Sequence, residues 1–292
     1  MGVRRAVEMA VSLAAITEPD GRVYTLGPLI HNPAVLHDLE RRGIEILPES
    51  WGDGNSLKGF EKPPRNTAVI IRAHGVSPET EEKLAVRGFS MYDATCSRVK
   101  ASQNKARFLA EKGYKIFLAG EENHAEIIGI KGYVIPASEC FVVADPCEAG
   151  IRADNLYKLE PEAKTALIGQ TTISPGEYSA IGREIKRFFP GLEIVNTICN
   201  ATAARQEALR ELCTAADALI IVGGKNSANT RRLLSLALEM GKPAWLAEKI
   251  EDIPSEIGNL KTVGLSAGAS TPDSLIDEIE AALKDYCAIG RT

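Results

Sequence analysis

Seven short segments of this chain are continuously apolar, and amphipathic segments lie between them. Continuous apolar runs of this length predict parallel strands that helices cover on both faces. We predict strands at residues 23–26, 68–71, 115–119, 140–143, 165–168, 218–222 and 262–265. We predict helices at residues 98–113, 175–188, 201–214, 229–240 and 272–286, and a turn-rich loop at 49–65. The alternation indicates βαβ units, and the predicted fold class is therefore α/β.

The order of helix, strand and glycine is repeated along the chain. Cys96 lies 24 residues before Gly120, and Cys199 lies 24 residues before Gly223. A third copy lies near the start of the chain: helix 2–15, strand 22–26 and Gly27. We therefore predict three similar small α/β lobes with a pseudo-threefold arrangement. The predicted lobes are residues 1–95, 96–198 and 199–271, and residues 272–292 form a C-terminal helix and tail that pack back on lobe 1.

Composition and charge limit the possible classes of function. The chain has 292 residues and a net charge of −5 without a basic block, so we predict neither nucleic-acid binding nor attachment to a membrane surface. No apolar run approaches the roughly 20 residues that span a bilayer. Glu8 interrupts the one stretch that resembles a signal peptide. The six scattered cysteines do not fit a secreted disulfide scaffold, and we expect a cytoplasmic protein.

Two cysteines occupy matching positions in the repeat. Cys96 follows Thr95, Cys199 follows Ile198, and each lies where a strand is predicted to end and a helix to begin. Free N–H groups and the helix dipole stabilise a thiolate there. Three such thiolates, one from each lobe, could hold an iron–sulfur cluster and leave one iron open to substrate. The repeat places the third cysteine near or just ahead of Met1. A lone cysteine is more often a small buried apolar residue, which is the role we assign to Cys140, Cys147, Cys213 and Cys287.

Three histidines follow predicted strands, where parallel sheets commonly bind ligands. His31, His74 and His124 all lie in such loops and suit an anionic, oxygen-rich ligand. The alternative for each is an ordinary core or surface histidine. His37 lies in a helical pattern, and we interpret it as a solvated residue.

A carboxylate and a hydroxyl group suggest a path for protons. Glu126 lies two residues after His124 and could relay protons, although a charged loop residue is the alternative. Thr171 follows the strand predicted at 165–168, and its hydroxyl could extend the path. Capping of the next helix is better suited to Ser174, which precedes Pro175.

Two glycine-containing loops lead from a strand into a helix, at residues 223–230 and 264–273. Small polar side chains beside free helix N–H groups form a cradle for a phosphate. Ordinary helix capping by Asn229 and Thr271 is the alternative. Neither loop matches the P-loop or the Rossmann glycine motif, so neither ATP nor NAD is implied.

Ordered motifs along nearly the whole chain resemble those of a known family. They are Gly-Val-Arg-Arg-Ala at 2–6, Ile-His-Asn at 30–32, Arg-Ala-His-Gly-Val-Ser at 72–77, Asp-Ala-Thr-Cys at 93–96, His-Ala-Glu at 124–126, Gly-Gln-Thr-Thr at 169–172, Thr-Ile-Cys-Asn-Ala-Thr at 197–202, Gly-Lys-Asn-Ser at 224–227 and Ala-Gly-Ala-Ser at 267–270. Their residues and order resemble the LytB family of 4-hydroxy-3-methylbut-2-enyl diphosphate reductases.

The resemblance implies a fold, a reaction and a set of site residues. The fold is three α/β lobes around a central [4Fe-4S] cluster. The reaction is the reductive dehydroxylation of the allylic diphosphate to isopentenyl and dimethylallyl diphosphate, with electrons from a ferredoxin- or flavodoxin-type donor. Cys96 and Cys199 would bind the cluster. Glu126, Thr171 and His124 would be catalytic. The substrate-binding residues would be His31, His74, His124, Thr171, Ser227, Ala228, Asn229 and Ser270.

The sequence departs from the family pattern in two places that bear on function. The family motif Cys-x-Gly-Val-x-Arg-Ala has Met1 at its first x, so the first cysteine is missing. We expect the reading frame to start upstream; the alternative is a cluster-deficient or non-catalytic member that only binds a diphosphate. Ala228 replaces a hydroxyl residue and leaves only its N–H for phosphate. A further alternative is a generic α/β protein that binds a phosphorylated ligand through the glycine loops.

Overall fold

Three parallel β-sheets form the framework of the computed structural model, which describes residues 2–17, 21–30, 33–48, 67–269 and 271–289. The strands are β1 (Arg22–Leu26), β2 (Ile44–Leu47), β3 (Thr67–Ile71), β4 (Ser90–Asp93), β5 (Lys115–Ala119), β6 (Cys140–Val143), β7 (Thr165–Gly169), β8 (Glu193–Ile194), β9 (Ala218–Val222), β10 (Ala244–Ala247) and β11 (Val263–Ala267). His31, Ser270 and the loop predicted at 49–65 lie outside the described residues.

Ten α-helices are found in the described ranges. They are α1 (Gly2–Ile16), α2 (Pro33–Arg41), α3 (Pro78–Val86), α4 (Ser97–Glu111), α5 (Ala125–Lys131), α6 (Pro146–Leu159), α7 (Pro175–Lys186), α8 (Asn200–Ala215), α9 (Ala228–Glu239) and α10 (Asp273–Ile289). None of these helices has the length and apolar content that a bilayer span requires.

The three sheets repeat one strand order. Sheet A has the order β2-β1-β3-β4, sheet B the order β6-β5-β7-β8, and sheet C the order β10-β9-β11. Every strand pairing is parallel. In each sheet the first strand along the chain lies between the second and the third. The α/β class and the three similar lobes are therefore confirmed, with one sheet in each lobe.

The described chain forms two compact units. The first contains residues 1–29 and 39–199, and the second contains residues 30–38 and 200–292. Sheets A and B belong to the first unit, and sheet C belongs to the second. The exact lobe boundaries stay a prediction.

Alternating side chains explain why the central strands of sheet B are buried on both faces. Phe117 and Leu167 point to one face and pack with Ile181 of α7. Ile116 and Leu118 point to the other face and pack in a cluster that includes residues of α4 and α5. Because successive strand residues face opposite sides, a run of apolar residues supplies both contacts. This arrangement fixes the carboxyl ends of β5 and β7, where the predicted site residues begin.

Sheet C is also covered on both faces, which corrects one prediction. Ile220 and Val222 pack with Ile279 and Leu283 of α10, and the opposite face of the sheet packs in a cluster with residues of α8 and α9. The sequence predicted that the C-terminal helix packs on lobe 1, but its core contacts lie on the sheet of lobe 3. The reason is its apolar stripe at four-residue spacing, which matches the apolar face that Ile220 and Val222 form on sheet C.

Candidate active site

Backbone hydrogen bonds place Cys96 beside the loop that follows β3. The N–H of Ala94 donates to Ile71 O at 3.0 Å, and the N–H of Cys96 donates to Ala73 O at 2.9 Å. Cys96 is the N-cap residue of α4, but its side chain makes no capping bond. It is partly buried and is not in a disulfide. The thiol therefore lies at a helix start, next to the residue that precedes His74.

An ion pair braces the Cys96 turn. Asp93 Oδ1 accepts the N–H of Thr95 at 2.9 Å, and Asp93 Oδ2 lies 3.1 Å from Lys100 Nζ. Burial opposes ionisation of Asp93, but its bonds with Thr95 and Lys100 outweigh burial and lower its pKa. The turn is thus tied at both ends, through Asp93 before it and Lys100 one helical turn after it.

Cys199 is held in the corresponding way in sheet B. The N–H of Cys199 donates to Thr171 O at 3.0 Å, and Thr197 Oγ1 accepts the N–H of Gly169 at 2.9 Å. The Tyr178 hydroxyl lies 2.9 Å from Leu167 O and 2.7 Å from Val195 O. Burial raises the pKa of Tyr178, so the hydroxyl keeps its proton for these carbonyls. Each predicted metal ligand is therefore bonded to the loop that follows the third strand of the preceding lobe, Cys96 to the loop after β3 and Cys199 to the loop after β7.

The two thiols fit part of a metal centre. Neither forms a disulfide, both are partly buried, and both lie at helix starts. Thiolates are the usual ligands of iron–sulfur clusters. In the described ranges, however, no three or more His, Cys, Asp or Glu side chains are grouped so that they could hold a metal ion. The chain therefore offers two soft donors at the motif positions.

The two histidine rings of the first unit contact each other. The rings of His74 and His124 meet edge to face, with their centroids 5.2 Å apart. His124 is the N-cap of α5, and its Nδ1 accepts the N–H of Glu126 at 3.2 Å. Because Nδ1 accepts this bond it carries no proton, so the proton of the neutral ring is assigned to Nε2. His124 can therefore donate a hydrogen bond from Nε2.

Glu126 and Thr171 form a buried hydrogen-bonded pair. Glu126 is only 1% exposed. Its Oε1 accepts the N–H of Thr171 at 2.7 Å, and its Oε2 lies 2.9 Å from Thr171 Oγ1. Burial raises the pKa of Glu126 to about 7, against the opposing effect of the Thr171 bonds. A carboxyl that titrates near neutral pH can act as a general acid, and the Thr171 hydroxyl can bind either of its protonation states.

A second set of predicted residues lies in the second unit, at the start of α9. Ser227 caps the helix, since its Oγ accepts the N–H of Thr230 at 3.3 Å. Both polar side-chain atoms of Asn229 are buried without a hydrogen-bond partner among the described residues, as is Thr230 Oγ1. Ala228 begins the helix, so its N–H has no partner within the helix. Buried polar groups without partners at a helix start suit an anionic ligand.

The structure thus divides the predicted site residues between its two units. His74, Cys96, His124, Glu126, Thr171 and Cys199 lie in the first unit, and Ser227, Ala228 and Asn229 lie in the second. His31 and Ser270 lie outside the described residues. His37 is exposed, as predicted.

Sequence reasoning missed one buried residue near the histidines, Gln103 of α4. Gln103 is fully buried. It lies on the same helix face as Val99, Ala106 and Leu109, which are also buried. A polar residue within an apolar stripe of helical spacing was the available signal.

Repeated parallel lobes with two thiols, two histidines and a buried acid at strand ends define an α/β enzyme site. Residues 1–284 match the family model described as LytB protein. The chain therefore belongs to the LytB family.

Curated relatives and solved structures agree with this assignment. A Treponema denticola protein named 4-hydroxy-3-methylbut-2-enyl diphosphate reductase is 43% identical over 97% of this chain and 94% of its own length. A protein of the same name from Aquifex aeolicus is 36% identical over 98% and 93%. The structure of the E-1-hydroxy-2-methyl-but-2-enyl-4-diphosphate reductase of Plasmodium falciparum superposes with a TM-score of 0.85 at 28% identity, covering 96% of this chain and 83% of that chain.

Proposed function

We propose that this chain catalyses the reductive dehydroxylation of 4-hydroxy-3-methylbut-2-enyl diphosphate to isopentenyl and dimethylallyl diphosphate. The reaction consumes two electrons and two protons, breaks the bond between carbon and the allylic hydroxyl, and releases water. The observation that carries the proposal is the position of Thr171. Its N–H and hydroxyl bind Glu126, and its carbonyl accepts the N–H of Cys199. A proton donor and a predicted cluster ligand are therefore joined through one residue.

Each residue of the first unit has a role that follows from its chemistry. Glu126 holds a proton near neutral pH because it is buried, and Thr171 passes this proton on through its hydroxyl. His124 donates from Nε2, and His74 in edge contact with it completes a polar surface for an oxygen-rich substrate. General acid catalysis of this kind typically contributes 10²–10⁴-fold to a rate.

Cys96 and Cys199 would hold a [4Fe-4S] cluster. When bound, this group supplies an open iron for the substrate oxygen and a route for electrons. The hydrogen bonds that Cys96 and Cys199 make through their backbone N–H groups hold both thiols beside the loops that carry His74 and Thr171.

The diphosphate would bind at the start of α9. Asn229 offers a buried amide whose hydrogen-bonding capacity is unused, and Ala228 offers its N–H. Ser227 would contribute its hydroxyl, and the resemblance adds His31 and Ser270. A ferredoxin- or flavodoxin-type protein would supply the electrons, and a cytoplasmic location is proposed from the sequence alone.

The experiment is an anaerobic assay after cluster reconstitution, with a chemical reductant and the allylic diphosphate. The resemblance implies three cluster cysteines, and two of them are present at motif positions in this chain. An extended protein, with an added N-terminal strand and cysteine, is therefore assayed in parallel with the chain itself. We expect product from at least the extended form and none from its Cys199→Ser variant. Absence of product from a fully reconstituted extended form would contradict the proposal.

A second candidate is a cluster-deficient member that only binds a diphosphate. It is favoured by the buried polar atoms of Asn229, which have no hydrogen-bond partner among the described residues and could bind a phosphate without a cluster. Iron and sulfide analysis of the chain as it stands distinguishes the two, because a stable complement of four irons contradicts this candidate. Binding of inorganic pyrophosphate without iron would support it.

A further inference from the structure

The turn that carries His74 lies directly on the backbone of α5. A Cβ atom added to Gly129 of α5 would lie 3.5 Å from His74 O and 3.6 Å from the carbonyl carbon of Gly75. A Cβ atom on Gly132, one turn later, would overlap the side chain of Ser77. Glycines at these two positions therefore give α5 a flat face, on which the turn rests. The same helix begins after His124 and carries Glu126.

The amide of Gln103 fills the junction between this turn and α5. Its Nε2 donates to Val76 O at 3.3 Å. A Cβ atom on Gly75 would overlap Nε2, and one on Gly129 would lie 3.3 Å from it. Gly75 also has a φ of +71°, a conformation that glycine adopts without strain. Gln103 itself belongs to α4, which has Cys96 at its N-cap. The Gln103 amide thus contacts both the His74 turn and α5, and it is carried by α4, the helix whose N-cap is the predicted cluster ligand Cys96.

Stability alone does not account for a glutamine at this position. Gln103 is fully buried, and its Oε1 has no hydrogen-bond partner among the described residues. A buried acceptor without a partner is unfavourable, and an apolar residue of the same size would avoid it. An apolar residue would, however, lose the hydrogen bond from Gln103 Nε2 to Val76 O. Through this bond the side chain joins α4 to the His74 turn.

We infer that Gln103 is a positioning residue for the reaction proposed above, on which this inference rests. Its amide holds the His74 turn against α5 and so keeps the rings of His74 and His124 in their edge contact. Gln103 acts through these histidines and does not touch the substrate.

The test uses Gln103→Met, which keeps the size but removes the donor, and Gln103→Glu, which donates only when protonated. Ser102→Ala is the matched control on the same helix, because it removes a buried side-chain bond to Arg98 O that lies within α4. Two quantities are measured: kcat/KM for the allylic diphosphate, and the ring resonances of His74 and His124 by NMR, which need no turnover.

We expect Gln103→Met to lower kcat/KM at least tenfold and to shift the His74 resonances, while its Tm stays at the wild-type value. Ser102→Ala should leave kcat/KM and both rings unchanged. For Gln103→Glu, kcat/KM relative to wild type should fall as pH rises, because an ionised carboxylate is repelled by Val76 O. For Gln103→Met, kcat/KM relative to the wild type should not depend on pH, because methionine has no ionisable group.

Wild-type ring resonances in Gln103→Met, or the same shifts in Ser102→Ala, would overturn the inference. Failure of the proposed function is a separate result, since it would appear as an inactive wild-type protein whose histidine resonances still respond to Gln103. Should Gln103→Met not fold, the pH series of Gln103→Glu decides, and a pH-independent spectrum and ratio would contradict the positioning role.

Discussion

Replacing Glu126 with glutamine should stabilise the protein at alkaline pH while it removes the proposed acid. Glutamine reproduces the protonated carboxyl: its carbonyl oxygen can accept the N–H of Thr171, and its amide can donate to Thr171 Oγ1. The bond from the Thr171 N–H is therefore retained, and the bond with the Thr171 hydroxyl is kept with its direction reversed. What disappears is the ionised state, which is unfavourable in a site that is 1% exposed.

The magnitude follows from the pKa of Glu126. Burial raises the pKa from 4.5 to about 7, so the folded state holds its proton more tightly than the unfolded state does. The contribution to stability is fully present below pH 4.5, declines as pH rises, and is lost above about pH 7. A difference of one pKa unit corresponds to about 1.4 kcal/mol, so the whole effect is about 3 kcal/mol. Glu126→Gln should match the wild type near pH 4.5 and exceed its free energy of unfolding by about 3 kcal/mol at pH 8.5.

Urea denaturation at a series of pH values measures this difference. Glu122→Gln is the control, because it removes the same charge from an exposed position two residues before His124. Its difference from the wild type should show no comparable rise between pH 4.5 and 8.5. The reasoning would be refuted if the difference in free energy of unfolding between Glu126→Gln and the wild type stayed constant with pH, or if the wild type were the more stable protein at pH 8.5. If the same variant is at least as stable as the wild type but has lost kcat, the loss of activity is due to the missing acid and not to unfolding.

Three other variants test neighbouring parts of the site. Thr171→Val removes one of the two bonds that lower the pKa of Glu126. The alkaline limb of the pH–rate profile of kcat should therefore move to higher pH, and kcat itself should fall at least tenfold. An alkaline limb at the wild-type pH would contradict a role of the Thr171 hydroxyl in setting the pKa of Glu126. Tyr178→Phe leaves the carbonyls of Leu167 and Val195 without this hydroxyl and should cost about 1–3 kcal/mol in urea denaturation; a smaller loss would mean that Tyr178 does not brace the Cys199 turn. Asn229→Ala removes two polar atoms that have no partner among the described residues, so calorimetry should show at least tenfold weaker pyrophosphate binding without a lower Tm, and unchanged affinity would exclude Asn229 from the cradle.

The central strands could be predicted with their bounds from the sequence, whereas of the strands that lead to the cysteines only their ends, at Cys96 and Cys199, could be predicted. β3, β7 and β9 are buried at every residue, so their apolar runs were visible. Every residue of β4 is exposed, and β8 has only two residues. These edge strands carry no apolar run, and side-chain hydrogen bonds help to hold their ends: the local Thr95–Asp93 bond at the end of β4, and the bond from the Tyr178 hydroxyl to Val195 O just after β8. The sequence pattern therefore predicts that a strand ends at Cys96 and at Cys199 but does not give the bounds of these strands.

The helix that carries Glu126 was missed for a related reason. α5 has only seven residues, and one of them, Gly129, is a poor helix former. A helix this short is not stable on its own. His124 caps it from one end, and its glycine face receives the His74 turn. The residues that weaken its local signal are the ones that allow the turn to approach, so no local pattern could have predicted both the helix and the contact.

The repeat also shows what distinguishes the Glu126–Thr171 pair of lobe 2 from the matching position in lobe 1. Ala73 and Thr171 occupy the same backbone position, two residues after the ends of β3 and β7, and each accepts the N–H of the cysteine that begins the next lobe. The scaffold bond is thus the same in both lobes, but only Thr171 adds a hydroxyl to it. That hydroxyl meets the carboxylate of Glu126, which α5 presents to the same sheet. If the bond to cysteine were all that this position required, alanine would serve in lobe 2 as it does in lobe 1. The threonine is therefore best explained by what its hydroxyl does for Glu126, which is to bind both protonation states of a buried acid beside a predicted cluster ligand.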